Sequence, residues 1–192
     1  MKSVLISIQP KWVEKIATGE KTIEVRKTRP KLETPFKVYI YCTKAKEVVD
    51  IGKTFSWGKE VIGEFVCDRI YPIQYEEHTH GNYYYNVFDT FNPYTQKVEG
   101  LPPKHCLTFK ELDDYLLRGN GYGWHISNLK IYDKPKDLSE FYLSCNYKGI
   151  CFSCARATFD NTGSLICKSK LTRPPQSWCY VEENKNEQAT EL

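Results

Sequence analysis

The densest run of residues able to do chemistry is Gly19-Glu20-Lys21-Thr22-Ile23-Glu24-Val25-Arg26-Lys27. Along an extended strand side chains alternate between faces, so Thr22, Glu24 and Arg26 share one face while Ile23 and Val25 share the other. A carboxylate and a guanidinium two residues apart can serve each other or clamp a polar ligand bidentately. Facing inward, these charges need partners, because a lone buried ion costs several kcal/mol. Facing outward, the run is an ordinary half-solvated strand, and alternation alone leaves both arrangements open. Lys21 has the wrong parity for the polar face and joins it only by reaching in from the preceding turn.

Two kinds of chemistry follow from an inward arrangement. Glu24 can act as a general base, with Lys21 or Arg26 stabilising an oxyanion or phosphorane. A binding pocket asks only for complementarity: cations for phosphate, a carboxylate for base N–H groups, and aromatic faces for stacking. Trp57, Tyr122, Trp124 and Trp178 are the ring candidates, each also a natural core residue, with Trp57 in its glycine-flanked loop expected to be the most exposed.

A second constellation is Cys145-x5-Cys151-x2-Cys154-x12-Cys167. The Cys151/Cys154 pair has zinc-knuckle spacing, and four thiolates would make a closed tetrahedral structural zinc site. The surrounding segment, rich in Gly, Ser and Asn, lacks the apolar residues to fold alone, so metal would supply its stabilisation. The alternative is four reduced thiols in a loop. Cys42, Cys67, Cys106 and Cys179 fall in or beside predicted strands and helix and read as small core residues. His78-x-His80 offers two ligands, too few for a site. His125 has the opposite parity to Trp124 and faces out if Trp124 packs inward.

Strands must position these groups. Residues 2–9, 22–26, 36–43, 61–70, 122–132 and 174–181 have the alternation or β propensity of strands. Pro10 starts a short helix with Trp12, Val13, Ile16 and Ala17 on one face and Gly19 as its left-handed stop. Thr108 and Glu111 form a capping box for a helix carrying Phe109, Leu112, Tyr115 and Leu116 and ending at Gly119. This mixture predicts an α+β protein built on a small closed or nearly closed β-barrel.

A chain of 192 residues suits one domain with embellishments. The net charge of +3 is too small to establish nucleic-acid binding, but it is unevenly spread, +6 over residues 1–60, −4 over 61–140 and +1 beyond. A basic N-terminal third can face phosphate or simply be solvated. No apolar run approaches the ~18 residues of a membrane span, and no secretory h-region opens the chain. A cytoplasmic protein with reduced cysteines and no membrane partner is expected.

Gly19, Lys21, Glu24 and Arg26 fill every fixed position of the pattern G-x-K-x-x-E-x-R. With Ser7-Ile8-Gln9-Pro10-Lys11-Trp12, Val61-Ile62-Gly63-Glu64-Phe65, Trp124-His125-Ile126, Ile131-Tyr132-Asp133-Lys134-Pro135 and Pro174-Pro175-Gln176-Ser177-Trp178, the chain resembles the ASCH domain (activating signal cointegrator homology) of the PUA-like superfamily. The likeness is to its small bacterial and phage-borne members and covers most of the chain outside residues 73–105 and 140–170. It implies a PUA-like β-barrel over 1–181, two insertions at those segments, and a disordered tail over 182–192. It also implies a cleft lined by the motif that binds RNA or nucleotide-like ligands, with Lys21, Glu24 and Arg26 in contact with the ligand.

Some members of the family are enzymes, among them an amidohydrolase acting on acetylated cytidine and reported ribonucleases. The proposed catalytic lysine of the amidohydrolase corresponds to Lys21, but its threonine corresponds to Glu24, so the hydroxyl nucleophile is missing. A hydrolase of modified nucleosides or RNA phosphodiesters, with Lys21 and Glu24 catalytic, stands as the alternative to a binding module. An adaptor that uses its Tyr-rich segment for protein contacts is a third reading.

Overall fold

The protein is described by a computed structural model covering residues 2–43, 58–77, 83–87, 105–143, 157–159, 165–167 and 169–183. The first strand, β1 (Ser3–Ile8), leads into helix α1 (Pro10–Ala17) and strands β2 (Ile23–Arg26), β3 (Phe36–Cys42), β4 (Glu60–Cys67), β5 (Ile70–Glu77) and β6 (Tyr83–Val87). Helix α2 (Phe109–Leu116) follows, then β7 (Gly121–His125), β8 (Ser127–Lys136), β9 (Phe141–Leu143), β10 (Ala157–Phe159), β11 (Leu165–Cys167), β12 (Ser169–Lys170) and β13 (Trp178–Glu183). A seven-stranded sheet runs β12-β9-β13-β1-β3-β4-β8 and a four-stranded sheet runs β2-β7-β5-β6, with β10-β11 as a separate hairpin. The two larger sheets curl around a shared core as a half-barrel, in keeping with the expected α+β, PUA-like fold.

Two expected strands prove to be corners. The run 61–70 breaks at Asp68-Arg69 into β4 and β5, and the run 122–132 breaks at Ile126 into β7 and β8. At each break the chain passes from one sheet to the other, as strands do where sheets meet steeply. The corners are tied together: the His125 N–H donates to the Arg69 carbonyl at 2.9 Å, the His125 ring meets Asp68 at 2.7 Å, and the Ser127 hydroxyl donates to the Val66 carbonyl at 2.8 Å. The core-facing parity shifts at each corner, from Phe65 and Cys67 to Ile70 and from Trp124 and Ile126 to Leu129 and Ile131. Gly63 permits the β4–β8 contact, because a Cβ there would lie 2.5 Å from the Lys130 carbonyl oxygen.

β1 is buried on both faces and pairs parallel with β3 and antiparallel with β13. Val4, Ile6 and Ile8 join Val38, Ile40, Phe65 and Trp124 in the main core. Leu5 joins Tyr39, Tyr41, Phe141 and Leu171 in a second core on the opposite side. α2 closes a third cluster, Leu112 and Leu116 against Val25 and Ile73. Its capping box forms as the sequence requires, but the helix stops before Gly119, with Leu117 and Arg118 both at φ of 56°. The tyrosine-rich strand β6 lies against β5, where Tyr85 donates to Asp113 of α2 at 2.9 Å. β13 runs to Glu183, past the expected start of the tail, and residues 184–192 lie outside the described residues.

Candidate functional site

Helix α1 sets up the site. Its apolar residues Val13 and Ile16 are buried, and Gly19, at φ of +78°, turns the chain back so that the Lys21 N–H donates to the Lys15 carbonyl at 2.8 Å. That hook resolves the parity problem. Lys21 swings in from the turn and is only 1% exposed, among the largest fully buried side chains. Its ammonium donates to the carbonyls of Ile23 at 2.8 Å and His105 at 2.7 Å and meets Glu24 Oε2 at 3.3 Å, so all three of its hydrogens have acceptors. The Trp12 ring lies 5.3 Å from the same nitrogen.

Glu24 and Arg26 project from β2 on one face and are each 6% exposed. Arg26 Nη2 meets Glu24 Oε1 at 2.9 Å and donates to the Ser7 carbonyl at 2.7 Å, while Nη1 reaches the Ser177 hydroxyl at 3.4 Å. Its Nε–H is buried with no partner among the described residues. Glu24 thus sits between two cations, one on each oxygen. The face is held in register by β7, which pairs Glu24 with Trp124 and Arg26 with Tyr122.

The three charged side chains line a cleft of about 520 Å3, within the size range of small-ligand sites. Every other described lining residue is uncharged, including Ser7, Gln9, Thr43, Tyr115, Gln176 and Ser177. Burial pushes the Tyr115 phenol above its ordinary value, against the pull of the nearby Arg26 charge, so Tyr115 is a neutral hydroxyl at physiological pH. The Ser7 hydroxyl donates to the Pro175 carbonyl at 2.7 Å, which fixes the Pro174–Ser177 segment as one wall.

His105 presents its carbonyl to Lys21 and accepts the Leu107 N–H on Nδ1 at 3.0 Å, which places the ring proton on Nε2. Burial, and then the Lys21 charge, hold its pKa below the ordinary value of 6.5. The unfolded chain therefore takes up this proton first. Stability from His105 is complete above about pH 6.5 and is lost as pH falls through the folded value. Ring NMR titration is expected to place His105 below its ordinary midpoint, and the matching acid-side slope of stability is expected to weaken in His105→Asn.

The other sequence candidates separate. Trp124 is fully buried, with Phe36 edge-on at 5.9 Å and Trp178 at 6.0 Å, so its ring belongs to the core and offers no base-stacking face. Tyr122 is half-buried against the main core, paired with Arg26 across β2 and β7, with the Arg29 guanidinium 5.9 Å from its ring, and is not among the residues that line the cleft. Trp57, Cys145, Cys151 and Cys154 lie outside the described residues, and Cys167 is described only through the main chain of β11. Among the described residues no group of three or more His, Cys, Asp and Glu is placed to hold a metal.

Cys42 and Cys67 are buried core thiols, pushed by burial to about 11 and about 12, and burial likewise raises Cys179 to about 11. Cys106 differs from expectation: it sits half-buried in the loop before α2, at φ of 60°. Thiol labelling of the native protein, read by peptide mapping, is expected to modify Cys106 well before Cys42, Cys67 and Cys179. Sequence reasoning missed Ser7, Trp12, Tyr115, His105 and Ser177 as parts of the site. Ser7, Trp12 and Ser177 lie in runs that carry the family resemblance, which was the available signal; Tyr115 and His105 carried none.

A model of the ASCH domain matches residues 6–113, and the chain belongs to the ASCH domain family. Among solved structures it is similar to the ASCH protein of Zymomonas mobilis, at 18% identity over 71% of this chain and 73% of that one, with a TM-score of 0.46. A tyrosine-to-phenylalanine mutant of the same protein aligns at 16% identity over 72% and 77%, with a TM-score of 0.45. No curated protein matches the chain.

Proposed function

We propose that this ASCH domain binds RNA or a nucleotide-like ligand in the cleft floored by Lys21, Glu24 and Arg26. One observation carries the reading. Two buried cations share a single buried carboxylate, and the remaining lining is neutral, so among the described residues the cleft holds one uncompensated positive charge. An unpaired buried charge costs several kcal/mol, and an anionic ligand removes that cost. A phosphate oxygen would meet the guanidinium of Arg26, and the Ser and Gln side chains of the walls would meet sugar or base.

Hydrolysis through Lys21 and Glu24 is the weaker reading. Both Glu24 oxygens already face a cation, and the three ammonium hydrogens of Lys21 are already taken. Incubating the full chain with labelled RNA and a panel of modified nucleosides separates the two. Retention without turnover is the expected result; turnover that Glu24→Gln abolishes in a folded protein would replace binding with catalysis.

A structural zinc held by Cys145, Cys151, Cys154 and Cys167 is a separate proposal, resting on their spacing and chemistry. Zinc analysis of protein purified without chelator is expected to show one equivalent that Cys151→Ser loses. A metal-free wild type removes the site.

A further inference from the structure

We infer that the cleft is the end of a longer track, and that the ligand is a single-stranded polynucleotide that leaves the cleft along residues 27–31. This rests on the reading of the cleft as a nucleotide site. Directly after Arg26 the chain runs Lys27-Thr28-Arg29-Pro30-Lys31, with Lys27, Thr28, Arg29 and Lys31 exposed. Its contacts are rings of the neighbouring strands and of α2. Lys27 Nζ lies 5.5 Å from the Tyr115 ring, whose residue lines the cleft, and Arg29 lies 5.9 Å from the Tyr122 ring. Trp178 Nε1 donates to the Thr28 hydroxyl at 3.0 Å, and the Lys31 N–H donates to the Tyr180 hydroxyl at 2.6 Å. Lys2 adds a further ammonium 4.1 Å from the Tyr180 ring.

Continuity with the cleft distinguishes this surface from an ordinary solvated face, since Lys27 sits over the ring of the cleft-lining Tyr115. Lys11, Lys15, Lys37 and Lys110 are each paired with a carboxylate. Among the described residues, Lys27, Arg29, Lys31 and Arg173, which immediately precedes the Pro174 wall of the cleft, make no ion pair; Lys59, Lys130, Lys134 and Lys170 are also unpaired but do not adjoin the cleft walls in sequence. Unpaired cations beside half-buried rings, continuous with a cationic cleft, match successive phosphates and bases of one strand. A free mononucleotide would fill the cleft and leave the track empty. Phosphates and rings read RNA and DNA strands alike, so the sugar is left to the cleft.

The test compares the wild type with the triple variant K27Q/R29Q/K31Q, whose three side chains are exposed. Each is titrated with fluorescent single-stranded RNA and DNA oligonucleotides and with nucleoside 5′-monophosphates, across a salt series. Counterion release of ~0.7 per phosphate contact on a single strand predicts that the variant loses about 2 units of salt slope, or about 100-fold in oligonucleotide affinity at 0.1 M salt. Mononucleotide binding is expected to be unchanged. Wild-type affinity and slope in the variant would overturn the track, as would oligonucleotides that bind the wild type no tighter than mononucleotides. Both of those results leave the cleft reading standing. A wild type that binds neither strand nor mononucleotide overturns the track and the cleft reading together.

Discussion

Glu24→Gln is expected to destabilise the fold by about 3–5 kcal/mol, the usual cost of removing one partner from a buried ion pair. Glu24 is the sole carboxylate among the described cleft-lining residues, and it meets both Lys21 and Arg26. A neutral amide would leave two cations in a pocket where each is almost wholly removed from water. Arg26→Gln leaves the Lys21–Glu24 pair charge-balanced, so its cost is expected to be smaller. Urea unfolding of the two variants checks both magnitude and order. A Glu24→Gln protein as stable as wild type would mean that solvent reaches these charges after all.

Trp124→Ala is expected to cost about 3–5 kcal/mol, the range for deleting a large aromatic from a packed core. Its side chain lies where the two sheets curl together, fully buried against Phe36 and Trp178. Deleting it would also loosen the pairing of β7 with β2, which holds Glu24 in place. Trp124→Phe is expected to cost much less, because it keeps a ring and removes an indole N–H that has no partner among the described residues. A thermal or urea midpoint for each variant decides the point. A small cost for Trp124→Ala would place this ring at a surface rather than in the core.

Local patterns in the sequence revealed the strands, both helices and the motif that carries the charges. Alternation located β1, β2, β3 and β13 to within a few residues, and the Thr108/Glu111 capping box placed the start of α2. The corners at Asp68-Arg69 and Ile126 were not read from the sequence, although the core-facing residues change parity there, because a single parity slip suits a bulge within one strand as well as a passage between sheets. The orientation of Lys21 could not be read from parity, since it depends on a glycine turn and a backbone hydrogen bond to Lys15. Trp124 shows the opposite difficulty: an indole suits a core and a stacking platform equally until its neighbours are known. The walls of the cleft come from residues as far apart as Ser7 and Ser177, brought together by the pairing of β1 with β13 and by the Ser7–Pro175 contact. Nothing local in the chain announces such pairs.

Affinity for a labelled single-stranded RNA, measured for wild type and for folded Arg26→Gln, tests the cleft most directly. Loss of two charge-assisted hydrogen bonds of ~1.5 kcal/mol each predicts about 100-fold weaker binding, at 1.4 kcal/mol per tenfold. Equal affinity in the two proteins would contradict the account, because the one positive charge without a counterpart would then play no part in holding the ligand.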